Sequence, residues 1–348
     1  MACLLKVETP IKCHDMMTKA VITAFKNGGD DKYYFRLLSY LKKHFLERII
    51  RLTPLRGAVY YLETPSRPMI LKGYSSYAKL SLQENFTETL KKEGFDHTYS
   101  FLRDVSDEPL YFEGLFFGCI EYFQADKRPF QFDSQTNRKA GLKILNKFHT
   151  ITASFVHSYK ELIPVYNIEQ KWKDRTSQFI KNIPMIQYFL GREQIDEIVN
   201  WADWSLEGME KCNIDFAEEP YTILHGDLAH HNFFRTYEGE LKLIDFDLIS
   251  IGPKIIDHLQ YANRIMPFLS WKINSLFKYK YMKDYVNSHG FLYAIGYPTD
   301  LLREWNRLIR EKSYDDERKM KYTLELTVQQ FYLRKQFIKD LKRQIRSL

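Results

Sequence analysis

The chain has 348 residues and a net charge of +7, with 24 Tyr, 25 Phe and only 15 Gly and 12 Pro. That composition suits packed cores, excludes an intrinsically disordered chain, and leaves length enough for two sizeable units. No apolar run approaches the roughly eighteen residues that span a bilayer.

Near the start, Lys6, Glu8, Lys12, His14 and Asp15 interrupt the apolar stretch that a secretory leader needs. Cys3, Cys13, Cys119 and Cys212 include no close pair, which argues against a disulfide framework or zinc site and for a cytosolic protein. Helical spacing covers 31–49, with Tyr34, Leu37, Leu38, Leu41 and Phe45 on one side. A strand is expected over 50–57, then a hairpin of 58–63 and 69–74 around Thr64-Pro65-Ser66-Arg67-Pro68. A helix follows over 80–93, stopped by Gly94, and two further strands over 99–104 and 112–123.

From Ser134 onward the pattern is mainly helical, over 135–158, 167–188, 192–212, 254–270, 272–287, 299–311 and 317–346. The expected fold class is therefore α+β, with a small antiparallel sheet unit (1–125) and a mainly helical unit (126–348) joined near Tyr122 to Asp133. Residues 334–348 carry Arg334, Lys335, Lys339, Lys342, Arg343 and Arg346 against Asp340, a local charge of +5. An apolar stripe of Met320, Leu324, Val328, Phe331, Ile338, Leu341 and Ile345 makes this a solvated helix face in preference to a docking surface for an acidic partner or membrane. Nucleic-acid binding finds no support, since the basic residues lie on one helix without a recognition motif.

One stretch interrupts the helical half: His225-Gly226-Asp227-Leu228-Ala229-His230-His231-Asn232, then Ile244-Asp245-Phe246-Asp247. Tyr221 to Leu224 before it is β-rich. Phe233 to Arg235 and Glu240 to Ile244 read as two strands around a Tyr237-Glu238-Gly239 turn, returning Asp245 to the loop. A carboxylate, a carboxamide five residues on and a second carboxylate beyond suit an ATP-dependent phosphoryl transfer. Asp227 orients the attacking hydroxyl or acts as base, while Asn232 and Asp245 offer oxygen to Mg2+. Asp247 is either a ligand of a second metal or a cap on the next segment. His225 is expected to brace the loop, His149 to be a core histidine, and His230 and His231, diverging in extended chain, not to form a zinc pair.

HGDLAHHN with IDFD resembles the aminoglycoside phosphotransferase and choline kinase superfamily, in which HGD replaces the HRD of protein kinases. Gly57 to Leu62, Ile70-Leu71-Lys72, Glu93-Gly94-Phe95 and Lys147 to Thr150 are similar to its spore-coat protein S branch. The resemblance covers about residues 40 to 265. It implies a protein-kinase-like two-lobed fold, with Lys72 on the hairpin holding the nucleotide phosphates and a helix carboxylate, Glu84 ahead of Glu88, holding Lys72. It also implies phosphate cover by the loop at Gly57, the single glycine where a GxGxxG turn would have three, and an adenine hinge around Tyr122.

Two functions follow. The first is an ATP- and Mg2+-dependent kinase whose partners are a nucleotide and a small hydroxyl or amine acceptor, or a coat protein. The second is a kinase-shaped scaffold of the spore coat, favoured by the thin phosphate loop. Trp172, Trp201, Trp204, Tyr261, Trp271 and Trp305, with Glu207, Glu210 and Asp257, could form an acid-lined aromatic cage for a cationic amine. Core packing is the preferred reading of each aromatic, and no substrate is predicted.

Overall fold

A computed structural model describes residues 30–212, 216 and 220–348. The expectations about the leader and about Cys3 and Cys13 lie outside the described residues. The chain divides into two units, the first closing at Pro129 and taking in Arg235–Ile244, the second holding Phe130–Phe234 and Asp245–Leu348.

The first unit is built on an antiparallel sheet of β1 (Arg51–Arg56), β2 (Val59–Glu63), β3 (Pro68–Tyr74), β4 (Phe101–Leu102), β5 (Leu110–Phe112) and β6 (Leu115–Glu121). Strand order is β1-β2-β3-β6-β4, with β5 also paired to β6. Pro54 sits in β1, an edge strand, where the register shifts between Pro54 and Arg56 and a missing N–H costs no central ladder bond. Alternation along β3 buries Met69 and Leu71 in one core with Leu37 and Leu41 of α1 (Asp30–His44) and Phe45 just after it. Helix α2 (Tyr77–Lys92) is started by the Ser76 hydroxyl, which accepts from the Lys79 N–H.

The continuous strand expected over 112–123 is instead two strands. Glu113 and Gly114 both take positive φ, 44° and 84°, and Phe112 pairs with Leu115 in a two-residue hairpin. The stretch 235–244, expected with the helical half, packs with the first unit. Arg235 O accepts from Asp126 N–H at 3.0 Å, and His97 O from Leu243 N–H at 2.7 Å.

The second unit holds α3 (Gln135–Phe155), α4 (Ile168–Ile186), α5 (Arg192–Lys211) and β7 (Tyr221–Leu224); β8 (Phe233–Arg235) and β9 (Leu241–Leu243) then form a two-stranded hairpin, the chain passing into the first unit at Arg235. There follow β10 (Ser250–Pro253), α6 (Ile255–Ile265), α7 (Ile273–Leu276), α8 (His289–Ile295), α9 (Thr299–Arg310), α10 (Glu317–Leu324) and α11 (Phe331–Ser347). β10 pairs antiparallel with β7, Ser250 opposite Leu224. Nothing in the sequence reading assigned β10, whose Gly252 and Pro253 look like a loop, or the seven-residue α8.

The helix expected over 272–287 is a single turn followed by a chain of three-residue turns. Leu276 O accepts from Tyr279 N–H, Tyr279 O from Met282 N–H, and Met282 O from Tyr285 N–H. Burial accordingly recurs every third residue, at Leu276, Tyr279, Met282 and Tyr285. The long helix expected over 317–346 is interrupted by a π-turn at Glu325–Gln329. That extra residue rotates the buried face, so Val328 is exposed while Phe337 is buried, and Arg334, read as part of the solvated face, lies inside at 3% exposure.

Candidate active site

The catalytic-loop candidate is suspended from α6. Strand β7 runs into the loop at His225, and the buried Asp257 of α6 accepts hydrogen bonds from the loop's main chain. Its Oδ2 takes the His225 N–H at 2.7 Å and its Oδ1 the Gly226 N–H at 3.2 Å. Oδ2 also lies 2.9 Å from His149 Nε2. Burial alone would raise the Asp257 carboxyl, but His149 and the His225 N–H outweigh it and hold the acid below its usual range. One turn further along, Gln260 accepts from Leu228 N–H and donates to Gly226 O at 2.9 Å. Four main-chain groups of the loop are thereby satisfied by two side chains on one helix face.

Gly226 explains the HGD pattern locally. Its φ is +79°, and a Cβ there would stand 2.3 Å from the Leu248 carbonyl oxygen, so the loop and the chain after Asp245-Phe246-Asp247 touch backbone to backbone. Phe246 completes the joint. It is fully buried, stacked on Phe148 at 5.8 Å and tilted against the His225 ring at 5.3 Å. Asp245 takes φ +70°, the left-handed region, where aspartate is among the tolerated residues.

Asp227 is partly exposed. Asn232, 1% exposed, donates its amide to Asp227 O at 2.8 Å and to Asp227 Oδ2 at 3.2 Å. The Asn232 Oδ1 is then a buried acceptor with no hydrogen-bond partner. An unpartnered, buried amide oxygen on the side chain that holds the Asp227 carboxylate has the donor chemistry of a hard-cation site. Among the described residues no cluster of three His, Cys, Asp or Glu exists, so such a site depends on this carboxamide. Arg264 of α6, which the sequence reading did not single out, lies 3.6 Å from Asp227 Oδ1.

Other sequence candidates take these places. His225 is wholly buried, and its Nδ1 accepts from the Asp227 N–H at 3.4 Å, a bracing role. His149 is buried, with Nε2 on Asp257 and Nδ1 unpartnered. His230 and His231 sit in a 3-10 turn with rings edge to face at 5.4 Å, so the premise of extended chain is corrected. Asp247 is exposed.

In the first unit, Lys72 stands on β3 opposite Gly118 of β6, its ammonium 5.3 Å from the Tyr74 ring. Glu84, on α2, is half-buried, its carboxyl raised by burial, with Arg103 and Glu88 as charged neighbours, and Glu88 pairs with Arg103 at 2.9 Å. Gly57 has φ +47° at the β1–β2 turn, with open space where a Cβ would be. Tyr122 follows β6 and meets Tyr61 edge-on at 5.2 Å. Of the aromatic residues considered for a cage, Trp201, Tyr261, Trp271 and Trp305 are core, as preferred.

Taken together, the antiparallel sheet unit, the helical unit and the loop-and-hairpin motif are those of an α+β, protein-kinase-like two-lobed fold. Solved structures it is similar to include aminoglycoside phosphotransferases. The enzyme from Alicyclobacillus acidocaldarius matches with a TM-score of 0.68 at 16% identity, over 88% of this chain and 96% of that one. The GDP and kanamycin complex of APH(2")-IIia gives 0.57 at 12% identity, over 85% and 98%. Spectinomycin phosphotransferase with ADP and spectinomycin gives 0.51 at 15%, over 90% and 93%. No protein-family model and no curated protein matches the chain. Among the described residues no helix is long and apolar enough to cross a membrane.

Proposed function

We propose that this chain is a member of the aminoglycoside phosphotransferase and choline kinase superfamily and an ATP- and Mg2+-dependent phosphotransferase acting on a small hydroxyl or amine compound. The observation that carries this is the Asn232 amide, which holds Asp227 with its nitrogen and leaves its oxygen buried and unpartnered. Leaving that acceptor unpartnered costs about 1–3 kcal/mol, which a bound cation would offset.

In the proposed reaction the acceptor oxygen bonds to the γ-phosphorus while the bond to the β–γ bridging oxygen breaks, and ADP leaves with that electron pair. Asp227, fixed by Asn232, accepts the hydrogen bond of the incoming hydroxyl and takes its proton. Asn232 Oδ1 and the Asp245 carboxylate would hold Mg2+, which when bound neutralises phosphate charge, and Asp247 is available to a second ion. Lys72 of β3 is assigned to the nucleotide phosphates, Gly57 to their cover and Tyr122 to the adenine. The ADP and GDP in the two complexes above support a purine nucleotide as co-substrate.

A second reading, a weak or inactive kinase-shaped component of the spore coat, is favoured by the single glycine, Gly57, in the phosphate-covering loop and by the likeness of the N-terminal stretches to the coat-protein branch. Cytoplasmic location, with incorporation into the coat, belongs to either reading. Thermal shift decides. ATP or ADP with Mg2+ at a hundredfold excess over Kd should add about 2.7 kcal/mol to stability, and Asp245→Ala should abolish the shift. No shift in the native chain leaves the scaffold.

A further inference from the structure

Beside Asp227, wholly within the second unit, lies a cavity of about 330 Å3 walled by α4, the loop, α6 and the start of α9. Its charged lining consists of Lys171, Arg175, Arg264 and Arg303 against Asp227 and Asp300. That is four cations and two carboxylates, and one of the two carboxylates is already engaged. Asp300 is bound by Arg334, Nη1 to Oδ1 at 2.9 Å and Nη2 to Oδ2 at 2.5 Å, and Arg334 does not line the cavity.

The arginines are poorly compensated. Among the described residues Arg175 makes no ion pair, and its Nη1 hydrogen bonds go to the hydroxyl and carbonyl of Thr299. Arg264 has Asp227 at 3.6 Å, too long for a hydrogen bond, and both arginines feel the Asp300 charge from beyond ion-pair distance. Arg303 meets Glu304 at 3.1 Å, a carboxylate shared with Arg307. Burial, with the nearby Arg303 charge adding to it, lowers the pKa of both Arg175 and Arg264. A bound anion would relieve this, and guanidinium forks match carboxylate and phosphate oxygens two at a time. A polycation would meet like charge. The acids considered for a cationic acceptor are elsewhere, Glu207 and Glu210 on α5 and Asp257 beneath the loop.

The geometry points to an acceptor that is an anionic hydroxyl compound, its carboxylate or phosphate group held by Arg175, Arg264 and Arg303 while its hydroxyl faces Asp227. The inference rests on the phosphotransferase reading for its hydroxyl end, and on the cavity alone for its anionic end. The transfer step is unchanged from that above.

Two measurements separate the two claims. Calorimetric titration of gluconate, glucose 6-phosphate, glucose and glucosamine into the full chain, without nucleotide, reads the cavity. The anionic pair should bind on the order of tenfold or more tighter than glucose, with gluconate against glucose 6-phosphate distinguishing carboxylate from phosphate. Arg175→Gln should erase the preference and Arg175→Lys restore part of it, with circular dichroism and melting temperature checking that each variant folds. Preference for glucosamine, or no binding of either anion, overturns the proposal. ADP release with ATP and Mg2+ on the same compounds reads the chemistry. Anion binding without ADP release under any acceptor would leave the cavity assignment standing and remove the phosphotransferase reading. ADP release that favours neutral or cationic acceptors would retain that reading and overturn this one. With an anionic acceptor turned over, Arg175→Gln should raise KM on the order of tenfold and leave kcat largely intact.

Discussion

Asp300 at the start of α9 and Arg334 on α11 form a two-pronged ion pair, and the guanidinium also lies 3.9 Å from the Trp271 ring. Burial would raise the Asp300 carboxyl, but Arg334 holds it below the usual range. The pair withdraws a carboxylate from the cavity and fastens the terminal helix to the body of the second unit.

Arg334→Ala should therefore cost about 3 kcal/mol, the usual result of stranding one partner of a buried pair. Urea unfolding would measure it. Removing both charges, Arg334→Met with Asp300→Asn, should recover most of the loss. A cost for the single variant below about 1 kcal/mol would class the pair with ordinary surface bridges.

Asp257→Ala should loosen the loop without dismantling the sheet of the first unit. The His225 and Gly226 N–H groups would lose their acceptor, at about 1–3 kcal/mol each. Hydrogen exchange at 225–228 should accelerate while amides of β3 and β6 keep their protection. Equal acceleration in both units would mean that the residue supports global stability alone.

Gly226→Ala combines a strained positive φ with a Cβ placed 2.3 Å from a carbonyl oxygen. One side of the joint between loop and Asp245 segment must then move. The expected outcome is loss of the ADP–Mg2+ thermal shift, with the protein still folded. Retention of the full shift would show that the joint does not set the ligand geometry.

Acid should destabilise the second unit in two stages. Burial pushes His258 down to about 3, while an unfolded histidine titrates near 6.5. Its contribution is complete above about 6.5 and is lost as pH falls from there toward 3, because only the unfolded chain takes up the proton. By pH 5 this amounts to about 2 kcal/mol. Asp257 and Asp300, both depressed, add their share only as pH falls through the ordinary carboxylate range, about 3.9, and below. Melting temperature across pH 4 to 8 checks the first stage, which His258→Gln should flatten.

The legible part of the site is the part that chemistry fixes by residue type. A phosphoryl-transfer loop needs particular oxygens at particular separations, so Asp227, Asn232 and Asp245 stand out in one sequence. Their supports do not, because Asp257, Gln260 and Arg264 lie about thirty residues downstream. A signal existed all the same: the three are polar and spaced i, i+3 and i+7, and so share one helix face. Arg175 offered no such pattern. Fold errors had local causes. Burial at every third residue from Leu276 to Tyr285 imitates a helix, and the π-turn at Glu325–Gln329 shifts a phase that periodicity assumes constant. The Glu113-Gly114 turn was readable from its glycine, and was passed over because apolar residues flank it on both sides.

The loop hangs by its peptide groups from Asp257 and Gln260 of α6, whereas Arg175 and Arg303 reach the cavity as side chains of α4 and α9. On the proposed reading, replacing Arg175 or Arg303 would change which molecules are welcome and leave the hangers in place. A lineage could thus exchange one clientele for another by a few substitutions, while the reaction itself stays inherited.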